Sequence, residues 1–280
     1  MISLPNENDI LPIIDAALKE DIGDGDVTSE AIFTGADIST ARVISRQDGI
    51  FCGGGVVKMV YRRVDPDVRV SLVKSDGERI ARGETAFMVS GRTAAVLTGE
   101  RTALNFAQRM SGIATGAGRA VKLVAGTTIR ILDTRKTAPG LRLLDKYAVA
   151  AGGGTNHRMG LFDMVMIKDN HIRAAGGIAE AVRRVRMAHG ARFKVEVEVT
   201  TTSEAREAAD AGADIIMLDN MERELMREAI EIIGGRSKIE VSGNMDEGRI
   251  RETAELAIDF ISIGALTHSV RAFDLSMRFE

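Results

Sequence analysis

Residues 129–173 carry eight basic side chains: Arg130, Arg135, Lys136, Arg142, Lys146, Arg158, Lys168 and Arg173. Only four acids share that stretch, Asp133, Asp145, Asp163 and Asp169. It is therefore +4 in a chain of formal charge −3, which leaves −7 for everything else. Four of the cations, Arg135, Lys136, Arg158 and Lys168, fall at the ends of neighbouring strand–helix units. Arginine grips carboxylate or phosphate with a planar fork and lysine acts as a mobile point charge, so the cluster suits a small ligand with several negative charges. His157 adjoins Arg158 after the flexible Gly152-Gly153-Gly154, which favours a place in the same site. His157 and His171 match no zinc spacing, and His189 and His268 read as structural or surface residues.

Carboxylates follow. Lys194, Glu196 and Glu198 alternate with Val195, Val197 and Val199, so a strand here puts the three charges on one face. The valines would face helices and the charges a barrel interior; a solvated edge strand is the plainer alternative. Asp219 ends the next apolar run, within reach of Glu198 in a barrel. Two such carboxylates could coordinate Mg²⁺ or stabilise a developing cation. Ser242-Gly243-Asn244 and residues 152–154 are candidate phosphate-cradling loops. The first gains weight because Gly264-Ala265 ends the following run, and barrels often hold phosphate after their last two strands.

The elements that must position these groups are legible as a rhythm. Short apolar runs at 128–133, 164–168, 193–199, 215–219, 239–242 and 260–264 alternate with helical periodicity at 178–189, 203–211, 222–233 and 247–257. Glycines stand a few residues before most of the runs, where helices end. Alternation at this spacing predicts parallel βα units. With no dinucleotide fingerprint and no Walker A motif, a barrel is favoured over a doubly wound sheet. Six successive runs end in polar residues, Thr134-Arg135-Lys136 among them, as expected of a shared mouth at the C-terminal ends of barrel strands.

The first half differs. Residues 9–21 read as an amphipathic helix, and 41–45, 68–73 and 85–89 as strands of a small mixed domain. Residues 98–123 read as one long helix, or as a pair broken near Gly112, Gly116 and Gly118. The expected fold class is α/β: a barrel built from the second half of the chain beside a small mixed domain built from the first.

Composition narrows the function classes. Hydrophobic residues make up 45% and charged residues 28%, which argues against disorder. The mildly acidic balance argues against nucleic-acid or anionic-membrane binding, and only Tyr147 and Phe162 offer stacking surfaces in the basic stretch. The single Cys52 excludes an internal disulfide framework and fits a reducing cytoplasm. No apolar run reaches the ~18 residues of a membrane span, and the N-terminus lacks the basic residues of a signal peptide.

Taken together, several motifs resemble the quinolinate phosphoribosyltransferase family. They are Glu20-Asp21-Ile22-Gly23-Asp24-Gly25-Asp26, Glu100-Arg101-Thr102-Ala103-Leu104-Asn105, Thr134-Arg135-Lys136-Thr137, Asn156-His157-Arg158, Ile167-Lys168-Asp169-Asn170-His171, Val195-Glu196-Val197-Glu198-Val199, Leu218-Asp219-Asn220 and Ser242-Gly243-Asn244. The likeness runs the length of the chain, in order. It implies transfer of phosphoribose from 5-phosphoribosyl-1-pyrophosphate to quinolinate, giving nicotinate mononucleotide, pyrophosphate and CO₂. It also implies an incomplete α/β barrel over residues 111–270 beside an α/β sandwich over 1–110, with the tail 271–280 packing on the sandwich, together with Mg²⁺ dependence and a homodimer, or a higher oligomer, with shared active sites. By resemblance, Arg101 reaches into the neighbouring subunit's site, and Arg135, His157, Arg158 and Lys168 hold the two carboxylates of quinolinate. Lys136 and Lys168 meet phosphates, while Glu198 and Asp219 lie at the ribose and Mg²⁺–pyrophosphate. Ser242, Gly243, Asn244, Gly264 and Ala265 lie at the 5′-phosphate. The rival readings are a phosphoribosyltransferase-like relative of molybdenum metabolism, a Schiff-base aldolase using Lys168, and a phosphate-ligand barrel without catalysis.

Overall fold

The computed structural model describes residues 3–280, which form two compact units. One holds the residues through Gly118 together with Thr137–Gly153 and Leu266–Glu280; the other holds Arg119–Lys136 and Gly154–Ala265.

The first part of the chain forms α1 (Glu7–Ile22), α2 (Val27–Ile32), β1 (Ile38–Ser45), β2 (Gly49–Ile50), α3 (Gly54–Val64), β3 (Arg69–Leu72), β4 (Arg79–Ile80), β5 (Thr85–Arg92) and α4 (Thr93–Leu123). In α1, Ile10, Ile14 and Leu18 recur every fourth residue and are buried. Asn6 caps its start by accepting the Asn8 N–H. Helix α4 is continuous, so its glycines mark no break. They allow close approach instead: a Cβ on Gly112 would stand 2.3 Å from the Arg271 carbonyl oxygen, and one on Gly118 would stand 2.5 Å from Ile50 Cδ1.

The remainder forms β6 (Arg130–Leu132), α5 (Arg142–Ala151), β7 (Val165–Ile167), α6 (Asp169–Ala175), α7 (Ile178–His189), β8 (Val195–Val199), α8 (Thr202–Asp210), β9 (Ile215–Asp219), α9 (Arg223–Ile233), β10 (Lys238–Ser242), α10 (Glu247–Thr253), β11 (Phe260–Ser262), α11 (Ala265–His268) and β12 (Leu275–Phe279). Strand β12 pairs antiparallel with β1 and completes a four-stranded sheet of order β12-β1-β5-β3. Residues 137–153 differ from the expected boundary by folding with this first unit. The reason is α5, whose Leu144, Tyr147, Ala148, Val149 and Ala151 join its apolar core. Buried Asp145 there takes two hydrogen bonds from Arg109, at 2.8 and 2.7 Å.

The second unit is built on a parallel six-stranded sheet of order β6-β11-β10-β9-β8-β7. Its first and last strands, β6 and β7, are not paired with each other, so the barrel is incomplete, as the family resemblance implied. In β8 and β10 apolar and polar side chains alternate, and β9 and β11 each end on a polar residue, Asp219 and Ser262. Val195, Val197, Val199, Ile216, Leu218, Ile239, Val241 and Ile261 are buried on the side that faces helices. Glu196, Glu198, Asp219, Glu240, Ser242 and Ser262 occupy the alternate positions. Lys194 departs from its expected place. It precedes β8, is exposed, and pairs with Asp214 at 3.3 Å outside the polar face.

Candidate active site

The polar face opens into a cavity of about 320 Å³ at the C-terminal ends of the parallel strands. Each strand delivers its residues by the same device: the pleat alternates faces, and the last inward position stands at the rim. Thr134, Arg135 and Lys136 follow β6, Met166 and Lys168 come from β7 and its end, and Glu198 from β8. Met217, Asp219 and Asn220 come from β9, Glu240, Ser242, Gly243 and Asn244 from β10, and Ser262 from β11. His157 and Arg158 arrive on the loop before β7.

That loop is fixed from below. Asp133, fully buried, accepts Asn156 Nδ2–H at 2.6 Å and the His157 backbone N–H at 2.8 Å. His157 Nδ1 accepts the Arg158 N–H at 2.7 Å, so the imidazole helps set the arginine's main chain. The Arg158 guanidinium donates to the Met164 carbonyl at 3.2 Å. Burial, reinforced by the neighbouring Arg135, holds its pKa below the usual value for arginine. At the next strand end Lys168 Nζ donates to Glu198 Oε2. Lys168 is also the residue before α6, and its backbone N–H is accepted by His171 Nδ1 at 3.0 Å. His171 is thus a helix cap, the structural part its sequence context left open.

The rim opposite is shaped by backbone conformation. Asn220 and Asn244 have φ of +52° and +47°, the left-handed non-glycine residues among those described, and both end strands at the cavity. Asn220 N–H donates to the Ser242 carbonyl at 3.0 Å, and its side chain donates to Asp219 Oδ2 at 3.1 Å. Gly243, at φ +98°, lies so close that a Cβ would stand 2.2 Å from Asn220 Oδ1. The Ser242-Gly243-Asn244 turn and the Asp219-Asn220 turn therefore form one packed unit, with backbone strain gathered at the cavity rim.

Beneath the rim lie His157, Glu196 and Glu240. His157 Nε2 is 3.1 Å from Glu196 Oε2 and 3.5 Å from Glu240 Oε2, and both carboxyl groups are fully buried. Burial, then the adjacent Glu196, pushes the Glu240 carboxyl up to about 8.

Of the residues expected from sequence, Thr134, Arg135, Lys136, His157, Arg158, Lys168, Glu198, Asp219, Ser242, Gly243 and Asn244 line this one cavity. Gly264 and Ala265 follow β11 but do not line it, and Arg101 lies exposed on α4, also outside the lining. Sequence reasoning missed Glu240, Met166, Met217 and Ser262, and placed Asn220 at a polar strand end without giving it a role. The signal for Glu240 was present: it is the sole charge at the centre of the run Ile239-Glu240-Val241, a costly place for a carboxylate without a function.

Comparison with known proteins follows the same lines. Residues 113–278 match the model of the quinolinate phosphoribosyl transferase C-terminal domain, and residues 26–111 that of the N-terminal domain. The probable carboxylating nicotinate-nucleotide pyrophosphorylase of Bacillus subtilis is 45% identical over 92% of this chain and 89% of its own. Quinolinate phosphoribosyltransferase [decarboxylating] 1 of Nicotiana glauca is 42% identical over 97% of this chain and 83% of its own. The solved nicotinate-nucleotide pyrophosphorylase of Francisella tularensis superposes with a TM-score of 0.95 at 41% identity, covering 100% of this chain and 98% of that one.

Proposed function

The chain belongs to the quinolinate phosphoribosyltransferase family, and from that premise we propose that it joins quinolinate to 5-phosphoribosyl-1-pyrophosphate with loss of pyrophosphate and CO₂, making nicotinate mononucleotide. The observation that carries this reading is one cavity in which Arg135, Lys136, Arg158 and Lys168 converge with Glu198 and Asp219. Mere anion binding has no use for the two carboxylates; displacement of pyrophosphate from an electron-poor sugar does.

Arg135, Arg158 and Lys168, backed by His157, take the two carboxylates of quinolinate. Lys136 and Lys168 meet the pyrophosphate. Ser242, Gly243 and Asn244 offer the 5′-phosphate a turn of polar groups, with Gly264 and Ala265 following the neighbouring strand. As the pyrophosphate departs, the ribose gains positive charge, which Glu198 and Asp219 stabilise. The ring nitrogen, once bonded to the sugar, is cationic. It draws off the electrons left behind when the adjacent carboxylate leaves as CO₂. Positioning and charge do the work, and no covalent enzyme intermediate is required.

The donor set suits Mg²⁺, a hard cation usually held by one or two carboxylates with substrate phosphates and water. Glu198 and Asp219 would hold it, and when bound it neutralises charge on the pyrophosphate. The working form is a homodimer or larger oligomer in which Arg101 serves a second copy's site; its exposed position outside the cavity lining supports that reading. A cytoplasmic setting accords with the free, buried Cys52, and no helix among the described residues is long and apolar enough to cross a membrane.

The test is formation of nicotinate mononucleotide from the two substrates, with and without Mg²⁺. Product that requires both substrates supports the reading. Binding of 5-phosphoribosyl-1-pyrophosphate without turnover, under conditions where a known family member works, would return the chain to the non-catalytic alternative.

A further inference from the structure

Asp133 is fully buried and stands just before Thr134-Arg135-Lys136 in the chain. A negative charge at that place is costly to bury and opposes the binding of anions at the cavity. Its presence beneath a cationic site therefore calls for a role that outweighs both effects.

The backbone shows that role. Thr155 pairs in parallel with Leu132 at the open edge of β6. Its N–H donates to the Ile131 carbonyl at 2.8 Å, and the Asp133 N–H donates to the Thr155 carbonyl at 3.2 Å. The next bond of a parallel ladder would run from the His157 N–H to the Asp133 carbonyl. The Asp133 side chain takes that donor instead, at 2.8 Å on Oδ1, while Oδ2 accepts from Asn156 Nδ2 at 2.6 Å. The ladder thus ends where the loop leaves for the cavity, and one carboxylate sets the point of departure. Local bonds stiffen what lies on either side of it. Thr134 Oγ1 accepts the Lys136 N–H at 3.0 Å, and His157 Nδ1 accepts the Arg158 N–H at 2.7 Å.

From this geometry we infer that Asp133 is a positioning residue: it fixes the spacing between two anion-gripping arms, Arg135–Lys136 and His157–Arg158, and so favours a ligand with two adjacent carboxylates over one with a single carboxylate. The first arm follows Asp133 along the chain, and the second is tied to its side chain. A ligand held by one arm does not sense the spacing between them, whereas a ligand held by both does. The choice of a dicarboxylate rests on the proposed reaction. Asn156 makes the link separable from charge. It is exposed and does not line the cavity, yet its amide donates to the same carboxylate.

Charge and position predict opposite signs. Removing the Asp133 charge with no change in position would tighten the binding of every anion, whereas loss of position weakens the dicarboxylate selectively. Calorimetric titration with benzene-1,2-dicarboxylate reads this without turnover, because that probe has adjacent carboxylates but no ring nitrogen to accept ribose. Benzoate, with one carboxylate, is the reference, measured by competition. The dicarboxylate-to-benzoate affinity ratio should fall about 10-fold in Asp133→Ala, which removes charge-assisted hydrogen bonds to the loop. Asp133→Asn keeps an acceptor for the His157 N–H and should recover much of the ratio. Asn156→Ala leaves every charge in place and should lower the ratio about threefold. Being at an exposed position, it also carries the test if Asp133→Ala fails to fold. In Asp133→Ala the His157 backbone N–H should exchange with solvent faster while those of β8, β9 and β10 stay protected. A native ratio in Asn156→Ala and in the folded Asp133 variants overturns the inference, as do tighter or equally weakened binding of both acids and an unchanged exchange rate. Those outcomes leave the proposed reaction standing. Absence of any preference for the dicarboxylate in the native chain would overturn both.

Discussion

In the proposed reaction Arg135 serves binding and Asp219 serves turnover, and substitution can separate the two. Arg135→Ala removes charge-assisted hydrogen bonds to a carboxylate, so KM for quinolinate should rise about 10- to 100-fold. A titration showing near-native affinity would exclude Arg135 from dicarboxylate recognition. Asp219→Asn keeps the shape and removes the charge proposed to stabilise the developing cation. It should lower kcat about 100-fold with a smaller change in KM, as loss of one preorganised electrostatic partner commonly does. Away from the site, Asp65 shows the opposite titration to Glu240. Its hydrogen bond from Arg92, aided by the Asp67 N–H, holds its carboxyl below the usual range. That stabilisation is present above the unfolded aspartate value near 3.8 and is lost as pH falls through the lower folded value. Asp65→Asn should therefore lower the thermal midpoint at pH 7 and matter progressively less towards pH 2, which a midpoint-versus-pH series reads directly.

At the scale of elements, the turn after β10 depends on a residue without a side chain. Gly243→Ala would force an L-residue to φ +98° and drive its Cβ onto Asn220. The backbone term alone costs about 1–2 kcal/mol, and relief requires moving the Asp219-Asn220 turn. Activity should fall further than stability does, measured as kcat/KM against thermal midpoint; equal losses would mean that the turn is only scaffold. The same elements show what the sequence could reveal. The βα rhythm was readable because buried parallel strands and amphipathic helices have different periods, and ranges such as 215–219 and 178–189 coincide with β9 and α7. Short elements were not readable: α6 and the pair β2 and β4 are too brief to show a period. The glycines of α4 look like helix breakers in sequence, but they are positions where another segment comes within contact distance, a long-range fact that local pattern cannot hold. Glu240 was overlooked for a related reason, because a buried charge becomes intelligible only when the groups around it are known.

For the molecule as a whole, net charge is a poor guide to its ligands. A chain of −3 places four cations at one cavity rim and compensates elsewhere, so the coat is acidic while the site is fitted to polyanions. The remaining basic residue of the expected constellation, Arg101, does not line that cavity. If it completes the site of a second copy, neither copy is catalytically whole. Two inactive variants can then rescue one another. Arg101→Ala leaves its own cavity intact but supplies no arginine, whereas Lys168→Ala supplies the arginine but has a damaged cavity. Mixed one to one and allowed to exchange, half the dimers are heterodimers, and each assembles one complete site from the Lys168 of one copy and the Arg101 of the other. Closed two-fold symmetry therefore sets the recovered activity at about a quarter of the native value. If Arg101 acted within its own chain, every heterodimer site would lack one residue or the other, and the mixture would stay as inactive as its parents despite verified subunit exchange.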